Sequence, residues 1–108
     1  MPGFSLAFTT TGTNATQQLA VMLGLGGQND VPHFFVTVRS DDANNGTIYT
    51  GRTNACIPLS GGESEGFYNA KPSELFFNDN GNTGLVIYFD FSGGIRPDAQ
   101  GVSAYPVT

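Results

Sequence analysis

The sequence contains little charge, and its few basic residues are dispersed along the chain. Of 108 residues, four are Lys or Arg and nine are Asp or Glu, which gives a formal net charge of −5 and a charged fraction of 12%. That fraction is about half of the roughly 25% found in ordinary soluble domains. Nucleic-acid phosphates and anionic membrane surfaces are bound by clustered Lys and Arg. We therefore predict a protein that binds neither nucleic acid nor membrane.

Cysteine and histidine are each present only once. Cys56 has no second cysteine with which to form an internal disulfide, so the fold must hold without that crosslink. Free cysteine is among the most often buried residue types, and we expect Cys56 to be buried on a strand. His33 forms no recognisable triad with Ser40 or Cys56, and no cluster has the spacing of a zinc site. We predict no catalytic residue, no metal and no cofactor, and hence a protein that is not an enzyme.

Long apolar runs are also missing. The first residues have neither a basic segment nor a sustained apolar segment, so they do not have the pattern of a signal peptide. The longest apolar runs are far shorter than the roughly 20 residues of a membrane-spanning helix. We expect the protein to remain in the compartment in which it is made.

Short β-branched and aromatic runs dominate the sequence instead. Each run is closed by Gly, Pro, Asn or Ser, and the runs recur roughly every 8–12 residues, the spacing of a β-sandwich or barrel. Every second residue from Leu85 to Phe91 is apolar, which predicts a central strand with one buried face. Pro58 marks residues 56–59 as an edge strand or the end of a strand. We predict an all-β single domain, a β-sandwich or jelly-roll-like barrel of about 7–8 short antiparallel strands with irregular terminal arms.

The domain, residues 1–108, divides into three parts. Residues 33–91 form the predicted β-body, and residues 1–32 form an amino-terminal arm with the first strand or strands. Residues 92–108 have scattered hydrophobic residues, two prolines and no usable period. We interpret this last part as an arm that folds back over the body or reaches a neighbouring molecule.

The residues before the body are less clearly patterned than the body itself. Phe4, Leu6 and Phe8 alternate with small residues, as in a strand with one buried face. Residues 9–16 are predicted to be a polar connection. Residues 17–25 fit a short helix or a strand, and we favour extended structure because three glycines crowd the end of the run.

Two segments are dense in Asn, Asp and Gly. The pair Asn45-Gly46 predicts a hairpin that joins the strand ending at Ser40 to a strand at residues 47–50. Residues 78–84 place oxygen ligands at alternating positions, as calcium-binding loops do, but they lack the glycine at the required offset and the closing Glu. We interpret residues 78–84 as a turn.

The strand that begins at His33 has two distinct faces. Phe34, Val36 and Val38 fall on one face, and His33, Phe35, Thr37 and Arg39 fall on the other. The second face is amphipathic.

The order of these elements resembles that of small all-β structural proteins of tailed bacteriophages. The resemblance covers roughly residues 33–91 and looks like the jelly-roll or β-sandwich fold of capsid decoration (cement) proteins. It depends on an Asn/Gly turn after an aromatic strand (Phe34 to Gly46), Ile48-Tyr49-Thr50-Gly51, Ile57-Pro58-Leu59 with Gly61-Gly62-Glu63-Ser64, Leu75-Phe76-Phe77, and Val86-Ile87-Tyr88-Phe89.

The resemblance implies a non-enzymatic virion structural protein that binds and stabilises the phage head. Its implied partner is the major capsid protein, and it would form a homo-oligomer, with a trimer preferred. It would be made in the host cytoplasm and lie on the capsid surface. The candidate interaction residues are apolar residues of the two arms: Phe4, Leu6, Phe8, Ile95, Val102 and Tyr105.

Two other functions stay open at this point. A head–tail or tail component of the same virion would have the same fold. A carbohydrate-binding β-sandwich would stack exposed aromatic side chains on sugar rings, and the candidates are Tyr49, Phe67, Tyr68 and Tyr88.

Overall fold

The structure is a computed structural model that describes residues 3–25 and 30–94. Eight strands and two short helices follow one another along the chain. They are β1 (Phe4–Thr11), β2 (Gln17–Gln18), α1 (Leu19–Met22), β3 (His33–Ser40), β4 (Ile48–Arg52), β5 (Ile57–Leu59), β6 (Ser64–Ala70), a 3-10 helix (Pro72–Glu74), β7 (Leu75–Asn78) and β8 (Thr83–Gly94).

The strands form two antiparallel four-stranded sheets. Sheet A has the order β1-β8-β3-β6, and sheet B has the order β2-β7-β4-β5. The pairs are nested along the chain: β1 with β8, β2 with β7, β3 with β6, and β4 with β5. Successive pairs lie alternately in sheet A and sheet B. A long antiparallel hairpin that is folded over into two sheets has this pairing, and the arrangement is called a jelly roll. The predicted all-β sandwich is confirmed, and the two sheets are not closed into a barrel.

The hydrophobic core lies between the two sheets and is built from alternate residues of each strand. β8 lies between β1 and β3, as predicted for a central strand, and every second residue from Leu85 to Phe91 is at most 6% exposed. Sheet B supplies Ile48, Leu75 and Phe77, all at most 2% exposed. Burial of this kind contributes about 25 cal/mol per Å² of apolar surface, and it is the main stabilising term of the fold.

The predicted grouping of Phe34 on one face with Val36 and Val38 does not hold, because both valines are fully buried. Phe34 is 61% exposed, whereas His33 is buried at 2% exposure. In the registers of β3 with its two neighbours, Phe34 is level with Asn69 and Gly93, whose φ angles are +50° and +47°. Left-handed backbone on both sides interrupts the regular pleat at this level. The alternation of β3 therefore shifts by one residue between His33 and Val36.

The predicted hairpin at Asn45-Gly46 is also wrong, because β3 and β4 belong to different sheets. Among the described residues with positive φ, neither Asn45 nor Gly46 appears, although a type I′ turn requires positive φ at both central residues. The connection is held by the Asn44 amide, which donates to Ser40 Oγ at 2.8 Å and accepts from Val86 N at 3.0 Å. This contact with β8 directs the chain from one sheet to the other.

The extended structure predicted for residues 17–25 is correct only at β2. Leu19–Met22 forms a single turn of α-helix, and Leu19 is fully buried at one end of the core. The strand β1 continues through Thr11, so the predicted polar connection of residues 9–16 begins later than expected. The spacing of apolar residues did not distinguish a helix from a strand here, and the helical turn buries the Leu19 side chain.

The edge strand predicted around Pro58 is confirmed, and the burial predicted for Cys56 is wrong. Pro58 lies on β5, at the edge of sheet B, opposite Tyr49. Cys56 is exposed because it lies in the connection between β4 and β5, one residue before the strand begins. At the other end, β8 continues to Gly94, three residues into the predicted carboxy-terminal arm.

Candidate interaction surface

The predicted interaction residues of the amino-terminal arm lie on β1 and contact the core of their own chain. Phe4, Leu6 and Phe8 are half-buried. The Phe4 ring stacks on Phe91 with centroids 4.8 Å apart, and Phe8 meets Phe77 edge to face at 6.0 Å. Their contact with a partner remains a prediction. Ile95, Val102 and Tyr105, the predicted interaction residues of the carboxy-terminal arm, lie outside the described residues.

Three aromatic side chains form a cluster on the outer face of sheet A, which we call the aromatic patch: Phe34, Phe35 and Tyr68. The centroid of the Tyr68 ring is 4.8 Å from that of Phe35 and 6.0 Å from that of Phe34. Phe34 is 61% exposed and Tyr68 is 64% exposed. Aromatic side chains at such exposure have most of their apolar surface in water, which is unfavourable for an isolated chain.

A glycine on the neighbouring strand makes room for the patch. A Cβ atom at Gly66 would lie 2.3 Å from Cζ of Phe35, so the Phe35 ring lies directly over the β6 backbone. A glycine inside a strand removes packing and weakens the sheet, and it commonly marks a close approach of another group. Here it lets Phe35 lie across the sheet and meet Tyr68.

The patch lies at the end of sheet A where the chain enters and leaves the described body. β1 begins at Phe4, opposite Phe91, and β8 ends at Gly94, opposite His33. Phe34 is the next residue of β3. The start of β1 and the end of β8 are therefore adjacent to the aromatic patch.

Charged groups elsewhere on the outer face of sheet A are paired within the chain. The Arg39 guanidinium lies 4.3 Å from the centroid of the Tyr88 ring, and Tyr88 Oη donates to Asp41 Oδ1 at 3.1 Å. That hydrogen bond raises the pKa of Tyr88 above its usual 10.0. Ser5 donates to Asp90 across the β1 and β8 pair. The patch thus adjoins polar groups that already have partners.

The turn predicted at residues 78–84 is organised by a buried carboxylate. Asp79 is 3% exposed, and its oxygens accept from the backbone N–H groups of Gly12 (2.9 Å), Thr13 (3.0 Å), Asn14 (2.8 Å) and Gly81 (3.0 Å). Burial raises the pKa of Asp79, but the four backbone hydrogen bonds lower it by more, and the net pKa lies below the ordinary value. Asp79 joins the end of β1 to the connection between β7 and β8.

Within residues 3–25 and 30–94, no group of three or more His, Cys, Asp or Glu side chains is placed to hold a metal ion. The same part of the chain contains no helix long and apolar enough to cross a membrane.

The four aromatic residues proposed to stack on sugars differ in exposure. Tyr68 is freely exposed, Phe67 is buried, and Tyr49 and Tyr88 are half-buried. The patch was not predicted from the sequence, although two adjacent Phe residues on one strand indicate that at least one Phe lies on the outer face. Because neighbouring side chains of a regular strand point to opposite faces, Phe34 and Phe35 could not both face the core.

Comparison with known proteins gives no assignment. No family model matches the sequence, and no curated protein or solved structure matches the chain.

Proposed function

We propose that this protein is a non-enzymatic structural protein of a virion, a capsid decoration protein that binds the major capsid protein and stabilises the phage head. It is made in the host cytoplasm and lies on the capsid surface as a homotrimer. The observation that supports this proposal best is the aromatic patch, since Phe34 and Tyr68 expose more than half of their surface on the outer face of sheet A.

The composition of the patch suits binding to another protein. Exposed aromatic residues surrounded by polar groups are enriched where protein interfaces carry most of their binding energy. Full burial of a Phe-sized side chain contributes about 1.5–3 kcal/mol, so burial of the exposed parts of Phe34 and Tyr68 would contribute roughly 1–2 kcal/mol each. A single patch of this strength binds weakly by itself.

The proposed trimer compensates for the weak affinity of a single patch. Three linked copies meet three equivalent sites on a capsid, and the second and third contacts form at high effective concentration. Closed cyclic symmetry is also the usual form of soluble homo-oligomers. The patch lies near the start of β1 and the end of β8, and joint contact of the arms and the patch with one partner fits the resemblance to decoration proteins.

The experiment uses the purified full chain and intact heads of the phage that encodes it. Light scattering should give a mass of about 34 kDa, three times the 11.4 kDa of one chain, and the protein should co-sediment with the heads. Replacement of both exposed patch residues, Phe34→Ser with Tyr68→Ser, should weaken co-sedimentation about 100-fold, as expected for a loss of roughly 2–4 kcal/mol.

A control variant removes exposed apolar surface elsewhere. Val21 is 70% exposed on α1, and Val21→Ser should leave co-sedimentation unchanged. A monomeric protein that does not pellet with heads would contradict the proposal. A trimer that pellets equally well with and without the patch residues would show that a different surface binds the capsid.

A further inference from the structure

A second surface feature, separate from the residues of the aromatic patch, has the properties of a small-ligand site. An open groove of about 360 Å³ lies at the end of the β4 and β7 pair and is lined by Arg52, Thr53, Glu74 and Phe76. Its volume is at the lower end of the range found for ligand pockets in proteins.

The two charged side chains of the groove are held close together. Arg52 Nη1 lies 3.6 Å from Glu74 Oε1, and the two side chains are 41% and 47% exposed. Each is also anchored by main chain: Arg52 Nη2 donates to Tyr68 O at 2.6 Å, and Glu74 Oε1 accepts from Lys71 N at 3.1 Å. These contacts fix the guanidinium and the carboxylate side by side, with a net charge of zero.

Both charged groups keep hydrogen-bonding capacity beyond these contacts. A guanidinium carries five N–H donors and a carboxylate accepts at both oxygens. Among the residues that the structure describes, Oε2 of Glu74 accepts no hydrogen bond. The groove can therefore donate and accept hydrogen bonds at adjacent points.

Thr53 is held in a conformation that its side chain disfavours. Its φ angle is +73°, in the left-handed region, where a β-branched residue is an outlier. Its N–H donates to Glu74 O at 3.3 Å, which ties the loop after β4 to the residue that precedes β7. Strained backbone of this kind clusters at ligand-binding sites.

Phe76 supplies the apolar wall of the groove. It is half-buried on β7, and its cross-strand neighbour on β4 is Gly51, which presents no side chain. A Cβ atom at Gly51 would lie 2.1 Å from Asn54 O, so the loop after β4 folds closely over the strand. Phe76 lines the groove together with the charged pair.

We infer that this groove binds a ring of a neutral carbohydrate. Glu74 disfavours an anionic ligand and Arg52 disfavours a cationic one, whereas hydroxyl groups accept from the guanidinium and donate to the carboxylate. The apolar face of a pyranose ring suits the Phe76 ring. This is a binding activity beyond capsid attachment, and it does not depend on the proposed function.

The test is an NMR titration of the ¹⁵N-labelled full chain with glucose, galactose, mannose, N-acetylglucosamine and their linear tetrasaccharides. We expect a neutral sugar to shift the amide signals of Arg52, Thr53 and Phe76 with a Kd of about 1–10 mM, as ligand efficiency allows for a molecule of this size. Phe76→Ala and Arg52→Ala should each weaken binding about tenfold. Val21→Ser, on α1 and outside the groove, should leave it unchanged.

A charge variant provides a readout that loss of folding would not produce. Glucuronic acid and glucosamine should bind the native protein at least fivefold more weakly than the neutral sugar. Glu74→Gln keeps an acceptor for Lys71 N and removes the negative charge, so glucuronic acid should bind that variant about fivefold more tightly than it binds the native protein. Absence of shifts at these three amides with every sugar, or equal binding of the charged and neutral sugars, would overturn the inference.

Discussion

The two faces of sheet A carry the same kind of side chain in opposite surroundings. On the inner face, Phe89 and Phe91 are at most 1% exposed, and the Phe89 ring meets Phe77 of sheet B with centroids 5.9 Å apart. On the outer face, Phe34 and Tyr68 are more than 60% exposed and contact each other at the sheet edge. The inner pair is explained by folding, because burying it stabilises the chain. The outer pair gains little from folding, and the proposed function assigns it to contact with the capsid.

The largest expected effect tests the inner face. Phe89→Ala removes a fully buried ring and leaves a cavity, which should lower the free energy of unfolding by about 3–5 kcal/mol. Urea denaturation of the full chain measures this free energy of unfolding. The matched variant is Phe34→Ala on the outer face, which should change stability by no more than about 0.5 kcal/mol. Equal losses in the two variants would remove the distinction between the faces.

The next effect concerns the carboxylate that fixes the end of β1. Asp79→Asn places an amide against backbone N–H groups and should cost about 2–3 kcal/mol at pH 7. The folded pKa of Asp79 lies below its ordinary 3.8, so its ionisation stabilises the fold above pH 3.8. That contribution is lost as the pH falls through the lower, folded pKa.

The free energy of unfolding should be measured by denaturation at pH values from 7 to about 2. The native protein should be more stable than the Asp79→Asn variant at pH 7, and this difference should shrink at the acid end. Asp42→Asn, at an exposed position in a different loop, is the control and should behave like the native protein. A difference between the native protein and Asp79→Asn that stays constant over the whole range would contradict the assigned role of the carboxylate.

A smaller effect is expected where the patch meets the sheet. Gly66→Ala places a Cβ atom in the space of the Phe35 ring, which must move, and overpacking of this kind costs about 1–2 kcal/mol. Because the displaced ring belongs to the patch, capsid co-sedimentation should weaken as well. The control is Gly46→Ala, in which the new Cβ atom meets the Asn82 side chain, away from the patch. Gly84→Ala is unsuitable as a control because the φ of +81° at Gly84 would strain any alanine there. Unchanged binding in Gly66→Ala would separate Phe35 from the interaction surface.

The sequence predicted correctly those strands that are marked by a few neighbouring residues, either an alternation of apolar residues or a proline. The alternation from Leu85 to Phe91 identified a central strand, and Pro58 identified an edge strand. The sequence could not show which sheet each strand joins, because that depends on contacts between distant residues. The amide of Asn44 decides the connection at Asn45-Gly46 by bonding to Val86, which lies 42 residues away.

The two candidate surfaces were hidden for similar reasons. The exposure of Phe34 results from left-handed backbone at Asn69 and Gly93 on the neighbouring strands, which residue spacing in β3 does not reveal. The groove brings Arg52 together with Glu74 and Phe76 through the pairing of β4 with β7. Residue type gives no sign of the positive φ at Thr53, because threonine rarely adopts it.

The most direct test of the central claim compares co-sedimentation of three full-length proteins with intact heads: the native chain, Phe34→Ser with Tyr68→Ser, and Val21→Ser. The account predicts that the native chain and Val21→Ser pellet with heads. The patch variant should remain in the supernatant while its urea midpoint stays close to that of the native chain, because outer-face residues contribute no more than about 0.5 kcal/mol to folding. A patch variant that pellets like the native chain, or a native chain that does not pellet at all, would contradict the account.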